Sequence, residues 1–71
     1  MPVTLADIER NFTYHSTKEN QLPRYNLLRD TAKELATCIY HNCPESRERS
    51  LAITALEEAS MWANASIARN E

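Results

Sequence analysis

The stretch Ser46–Glu71, SRERSLAITALEEASMWANASIARNE, contains neither glycine nor proline, and its reading decides the fold. Ala52, Ile53, Leu56, Ala59, Ala63 and Ile67 recur along it at helical spacing, so one face of a single long helix can be buried. Everything upstream is expected to pack on that face. With Ala52, Ala55, Ala59, Ala63 and Ser66 beside a few bulky residues, the face is built largely of small side chains. Such a surface lets two helix axes approach toward the short end of a range of roughly 8–10 Å. The expected partner is therefore another helix rather than a sheet.

That partner lies directly upstream. Pro23 suits the first turn of a helix, where its missing N–H would have had no partner, and Leu28, Ala32, Leu35, Ala36 and Ile39 mark one face after it. His41-Asn42-Cys43-Pro44 ends the run. Asn tolerates the left-handed conformation at a helix C-terminus, and Pro44 disfavours helix at the residue before it. The connection is short, so the two helices must be antiparallel neighbours. Nearer the start, Thr4-Leu5-Ala6-Asp7 offers a capping hydroxyl and an acid for the positive helix end, which predicts a short helix over residues 5–10. Asn11–Leu22, NFTYHSTKENQL, has no period and is rich in turn formers, which predicts an extended connector. The expected architecture is all-α, one antiparallel two-helix hairpin domain over residues 1–71. Within it, 1–22 form the short N-terminal helix and extended connector, 23–42 helix one, and 45–71 helix two.

A chain of 71 residues has little core to spare, since one near 60 residues buries only about 60% of its unfolded surface. Met61 and Trp62 lie off the main stripe of helix two, and helix one presents Tyr25 and Tyr40. No third long helix exists to cover them, so a homo-oligomer is expected. Cys38 and Cys43 flank His41 near a helix end, without CxxC spacing or a convincing fourth ligand. Both thiols are expected to be reduced, Cys38 to be a small apolar filler, and no metal to bind. The opening MPVTLADIERN lacks a long apolar core, so neither a signal peptide nor a membrane span is expected, and the chain reads as soluble and cytosolic. Asn11-Phe12-Thr13 and Asn64-Ala65-Ser66 match the glycosylation sequon, which has meaning only in a secretory context. A formal net charge of −2 argues against DNA or RNA polymers as partners. It leaves room for a small anionic ligand in a local basic pocket.

Residues for catalysis are not arranged convincingly. Glu57 and Glu58 are adjacent and point apart, while Glu45 and Glu48 sit in a first helical turn, where the dipole alone favours acids. His15 and His41 have no Ser, Asp or Glu at a spacing that fixes a role, and without glycine there is no phosphate-cradling loop. A binding site is better supported. Phe12-Thr13-Tyr14-His15 sets two aromatic rings and an imidazole on the connector, where flat faces can stack on a nucleobase for about 1–3 kcal/mol per base. The alternative is that Phe12 and Tyr14 plug the top of the hairpin, the commoner use of aromatic rings in a small core. Arg24 and Arg29 can hold phosphate, with the Thr31 hydroxyl close by in sequence; the alternative is a solvated helix face. Arg69, at the end of helix two, also complements the helix dipole.

The blocks FTYH, Q-x-x-RY-x-x-x-R, A-x-x-LA, P-x-S-R-E-x-S-x-A-I-T-x-L-E-x-A and MWANASIARNE closely resemble the small phage proteins that sequester cyclic oligonucleotides. That family counters the CBASS anti-phage signalling system and shares its hairpin domain with a phage sponge against Thoeris. The resemblance covers about residues 11–71 and leaves the first ten outside. It implies a compact homohexamer in the host bacterial cytoplasm that binds cyclic dinucleotides such as cGAMP, and cyclic trinucleotides, without cleaving them and without a cofactor. Ligand pockets would form between protomers, one type for each ligand class. Tyr14 looks like the ring that stacks on a dinucleotide base, with Phe12 and His15 beside it. Arg29 stands where the family often places lysine against the phosphates, and its planar fork replaces a point charge. Thr31 and Arg69 look like the pair that contacts trinucleotide phosphates; one inserted residue in the hairpin turn would put Asn70 in place of Arg69. Two readings from other classes stay open. One is an oligomeric interaction or structural protein that buries Trp62 and Tyr25 without a ligand, and the other is a phosphodiesterase acting on the same messengers.

Overall fold

The computed structural model describes residues 2–71; Met1, where the expected domain begins, lies outside the described residues. Three α-helices follow one another, α1 (Leu5–Phe12), α2 (Leu22–Asn42) and α3 (Arg47–Asn70), with a 3-10 turn at Glu19–Gln21 leading into α2. There is no strand among the described residues.

A reciprocal cap starts α1. Thr4 Oγ1 accepts from the Asp7 N–H at 3.1 Å while the Thr4 N–H donates to Asp7 Oδ2 at 3.0 Å, so two donors at the helix start are satisfied at once. The bond from the Thr4 backbone, then that with its hydroxyl, hold the Asp7 carboxyl below the usual carboxylate range, and Arg10 adds to the effect. The helix runs on to Phe12, beyond the expected end at residue 10, which takes Phe12 out of the connector. Its last carbonyls find side-chain donors there. Thr13 Oγ1 donates to the Glu9 carbonyl at 2.5 Å, and the His15 Nε2–H donates to the Arg10 carbonyl at 2.7 Å.

Packing between elements is concentrated between α2 and α3, and between the 3-10 turn and α2. Leu5 and Phe12 of α1 remain 84% and 86% exposed, which corrects the expectation that everything upstream packs on α3. The seam of the hairpin joins Tyr25, Leu28, Ala32, Ala36 and Ile39 of α2 to Ile53, Leu56, Ser60, Ala63 and Ile67 of α3, all half-buried. These steps follow the narrow stripe, period about 3.5, along which two helices share one contact line. A stripe so narrow leaves the flanks outside. Ala52, Ala55 and Ala59 are exposed, and Cys38, expected as a filler, is an exposed free thiol like Cys43.

The two ends of the hairpin are closed by polar groups. At the turn, no described residue has positive φ, so the expected left-handed Asn cap does not form. Cys43 is extended, its N–H bonded to the Ile39 carbonyl, and Asn42 Nδ2 donates to the Cys38 carbonyl at 2.8 Å. Ser46 caps α3 by accepting from the Arg49 N–H at 3.1 Å. The Arg49 guanidinium lies 4.5 Å over the Tyr40 ring and donates to the carbonyls of Tyr40 and Cys43. At the other end Gln21 is 2% exposed. Its Oε1 accepts from the Lys18 N–H at 3.1 Å and its Nε2 donates to Glu71 Oε1 at 3.5 Å.

No apolar side chain is fully buried among the described residues. The chain exposes 6025 Å², whereas a folded monomer of its mass exposes about 4,500 Å². Its radius of gyration of 15.3 Å likewise exceeds the roughly 11 Å of a compact chain of this length. The excess surface is partly apolar, with Leu27 64%, Met61 68% and Trp62 60% exposed.

Candidate functional site

Arg29 projects from the second turn of α2 into an open groove of ≈ 460 Å³ shared with Thr17, Leu22, Tyr25, Ser60 and Asn64. The α2–α3 seam builds this groove, because Tyr25 and Arg29 are one turn apart on α2 and Ser60 and Asn64 one turn apart on α3. One Arg29 nitrogen donates to Asn26 Oδ1, which leaves further N–H donors of the guanidinium for a ligand. Asn64 Oδ1 is buried without a hydrogen-bond partner among the described residues. Ser60, Asn64, Thr17 and Tyr25 were not singled out as ligand contacts from sequence. Ser60 and Asn64 fall at the helical spacing of Leu56, Ala63 and Ile67, and that spacing was the signal available for them.

Tyr14 does not line this groove. It is 87% exposed on the extended segment after α1, with its ring free for a flat partner. Phe12 closes α1, and His15 spends its Nε2–H on the Arg10 carbonyl. Arg24, expected as a phosphate holder, is engaged within the chain. Its guanidinium donates to both carboxylate oxygens of Glu71, at 2.7 and 2.5 Å. That bond first, with help from Gln21 and the charge of Lys18, holds the Glu71 carboxyl below the usual carboxylate range.

Thr31 and Arg69 occupy separate grooves of the single chain. Thr31 lines an apolar one with Leu28, Leu35, Leu56, Ala59 and Ala63. Arg69 and Asn70 line another with Arg10, Trp62, Ala65 and Ser66. The Arg69 guanidinium lies 5.8 Å over the Trp62 ring, and Asn70 Nδ2 donates to the Ser66 carbonyl at 2.9 Å. The grooves of Arg29 and Arg69 each combine a cation, a hydroxyl or amide, and an aromatic side chain, the groups that non-covalent recognition of a phosphate and a flat ring requires. No described helix is long and apolar enough to cross a membrane.

Comparison with curated proteins and with solved structures gave no match. A family model described as Acb2/Tad1, hairpin domain, matches residues 4–68. The match takes in residues 4–10, which the resemblance by motif left outside, and it stops short of Arg69 and Asn70. Most of the sequence is covered, and the chain therefore belongs to the Acb2/Tad1 hairpin-domain family, the anti-CBASS and anti-Thoeris sponge family that its motifs resemble.

Proposed function

We propose that this single-domain helical hairpin binds and sequesters cyclic di- and trinucleotide second messengers without cleaving them, and so blocks activation of CBASS effectors. One observation carries the reading: two arginine-bearing grooves share no residue, that of Arg29 with Tyr25, Ser60 and Asn64, and that of Arg69 with Trp62, Ser66 and Arg10. Two separate anion sites are what two ligand classes need. A cyclic dinucleotide carries two negative charges and two base faces, which Arg29 and an exposed Tyr14 are equipped to meet. Sequestration needs retention rather than chemistry, and many sites on one particle increase it. The messengers are made in the host cytoplasm, so the protein acts there.

The assembly in this reading is a homohexamer. It is supported by the apolar surface that one copy leaves bare, and a neighbouring copy brings residues such as Tyr14 and Arg29, or Thr31 and Arg69, into one pocket. The same surface favours a second reading, an oligomeric interaction protein without a ligand. Calorimetry separates the two. Protein saturated with a cyclic dinucleotide is titrated with a cyclic trinucleotide, and the reverse, and the bound nucleotide is recovered after denaturation. Undiminished binding of the second ligand and intact recovery are expected. Linear product would identify a phosphodiesterase, and no binding of either ligand would leave the interaction protein.

A further inference from the structure

Trp62, Ala65, Ser66 and Arg69 line one side of α3 at steps of three and four, and Arg10 reaches the same groove from α1. Trp62 is 60% exposed, an unusual position for the largest apolar ring, and Glu58 Oε1 accepts from its indole N–H at 3.4 Å, which fixes the ring edge. The Arg69 guanidinium lies over the indole, and no carboxylate pairs with it among the described residues. Arg10 gives one nitrogen to Asp7 at 3.2 Å and keeps its other donors. Arg24 and Arg49, by contrast, are spent on the fold, Arg24 on Glu71 and Arg49 on the hairpin turn.

We propose that Trp62 is the base-stacking surface of the trinucleotide site, with the adjoining phosphate held between Arg10 and Arg69. This rests on the sponge reading and adds to it two residues, Trp62 and Arg10, with definite tasks. An indole face accepts any base, because every base has a π surface. The guanidinium over the ring exchanges a cation–π contact at an exposed site for charge-assisted hydrogen bonds to phosphate, which are the stronger interaction. Ser66, exposed on the groove lining, adds a hydroxyl donor. Since this groove shares no residue with that of Arg29, a cyclic dinucleotide bound there leaves Trp62 untouched.

The chain contains one tryptophan, so its emission reports this groove alone. The protein is titrated with cyclic tri-adenylate and, separately, cyclic di-adenylate, by calorimetry and by fluorescence, with sedimentation velocity on every variant. Trinucleotide is expected to quench Trp62 in step with the heat, and dinucleotide to bind without quenching. Trp62→Ala should weaken trinucleotide binding about ten- to a hundredfold, Trp62→Phe should restore most of it, and dinucleotide affinity should stay unchanged in both. Trinucleotide heat without quenching, wild-type affinity in Trp62→Ala, or a changed particle mass in that variant would overturn the assignment. Absence of heat with either ligand would instead overturn the sponge reading beneath it.

Discussion

Arg24 and Glu71 meet in a two-bonded ion pair, Nη1 to Oε2 at 2.7 Å and Nη2 to Oε1 at 2.5 Å, although 47 positions separate them. The pair joins the first turn of α2 to the residue that follows α3. It does at the open end of the hairpin what Arg49, Tyr40 and the Cys43 carbonyl do at the turn. Because both side chains are more than a third exposed, 45% and 37%, solvent screens the attraction and its contribution is modest. Its main effect is positional. With the ends fixed, the groove of Arg29 and Asn64 keeps its shape between them.

The pair predicts an acid response. Glu71 has a lower pKa folded than unfolded, so its contribution is fully present above the ordinary glutamate value of 4.5 and is lost as pH falls through the depressed native value. Asp7, depressed by Thr4, acts in the same direction from its ordinary value of 3.8. Glu71→Gln should be less stable than wild type at about pH 7, and the difference should be smaller at about pH 3. Urea midpoints at fixed protein concentration at the two pH values check this; a constant difference would remove the ion pair as the cause.

The seam sets the response to truncation. Leu56 is half-buried and faces α2, so Leu56→Ala should cost about 1–2 kcal/mol, below the 2–5 kcal/mol of a fully buried leucine. Ala55→Ser, on the exposed flank, should be near neutral. Denaturant unfolding of both variants at one concentration distinguishes seam from flank.

How much of this was legible follows from the range of each interaction. Ile53, Leu56, Ala63 and Ile67 announce α3 by spacing, and the cap of Thr4 with Asp7 lies within one turn, so local rules reached both. Ala52, Ala55 and Ala59 were assigned inward because small apolar residues are compatible with either face, and only the observed contact line of α2 chooses. Ser60 and Asn64 carry no signal for the groove for the converse reason: an apolar period passes over polar residues at the same register. The union of Arg24 with Glu71 has no local signal at all. Arg29 was picked out by charge and motif, but its neighbours Ser60 and Asn64 come from the other helix of the hairpin.

Asn64 gives a stability test of the groove. Its buried Oδ1 lacks a partner among the described residues, and a buried unsatisfied acceptor costs roughly 1–3 kcal/mol of desolvation. Asn64→Leu keeps the branching and approximate volume and removes that cost. The variant should melt at or above the wild-type temperature, by up to about 1 kcal/mol in stability. A clear loss of stability would show that the carboxamide is satisfied in the assembled protein, by a neighbouring copy.

The two-groove reading is tested most directly by a crossed pair of substitutions. Tyr14 is almost fully exposed and Arg69 lies on the Trp62 ring, so neither truncation removes hairpin packing and both variants should assemble like wild type. Removing a stacking ring costs about 1–3 kcal/mol per base, so Tyr14→Ala should weaken cyclic dinucleotide binding about ten- to a hundredfold and spare the trinucleotide. Hydrogen bonds to a charged group are worth about 1.5–3 kcal/mol, and Arg69→Ala should impose a similar loss on the trinucleotide alone. Raising salt should weaken trinucleotide binding more in wild type than in Arg69→Ala, since the variant has one fewer exposed charge to screen. Loss of both ligands from either substitution, with particle mass unchanged, would mean a single shared pocket in which residues from the two grooves meet.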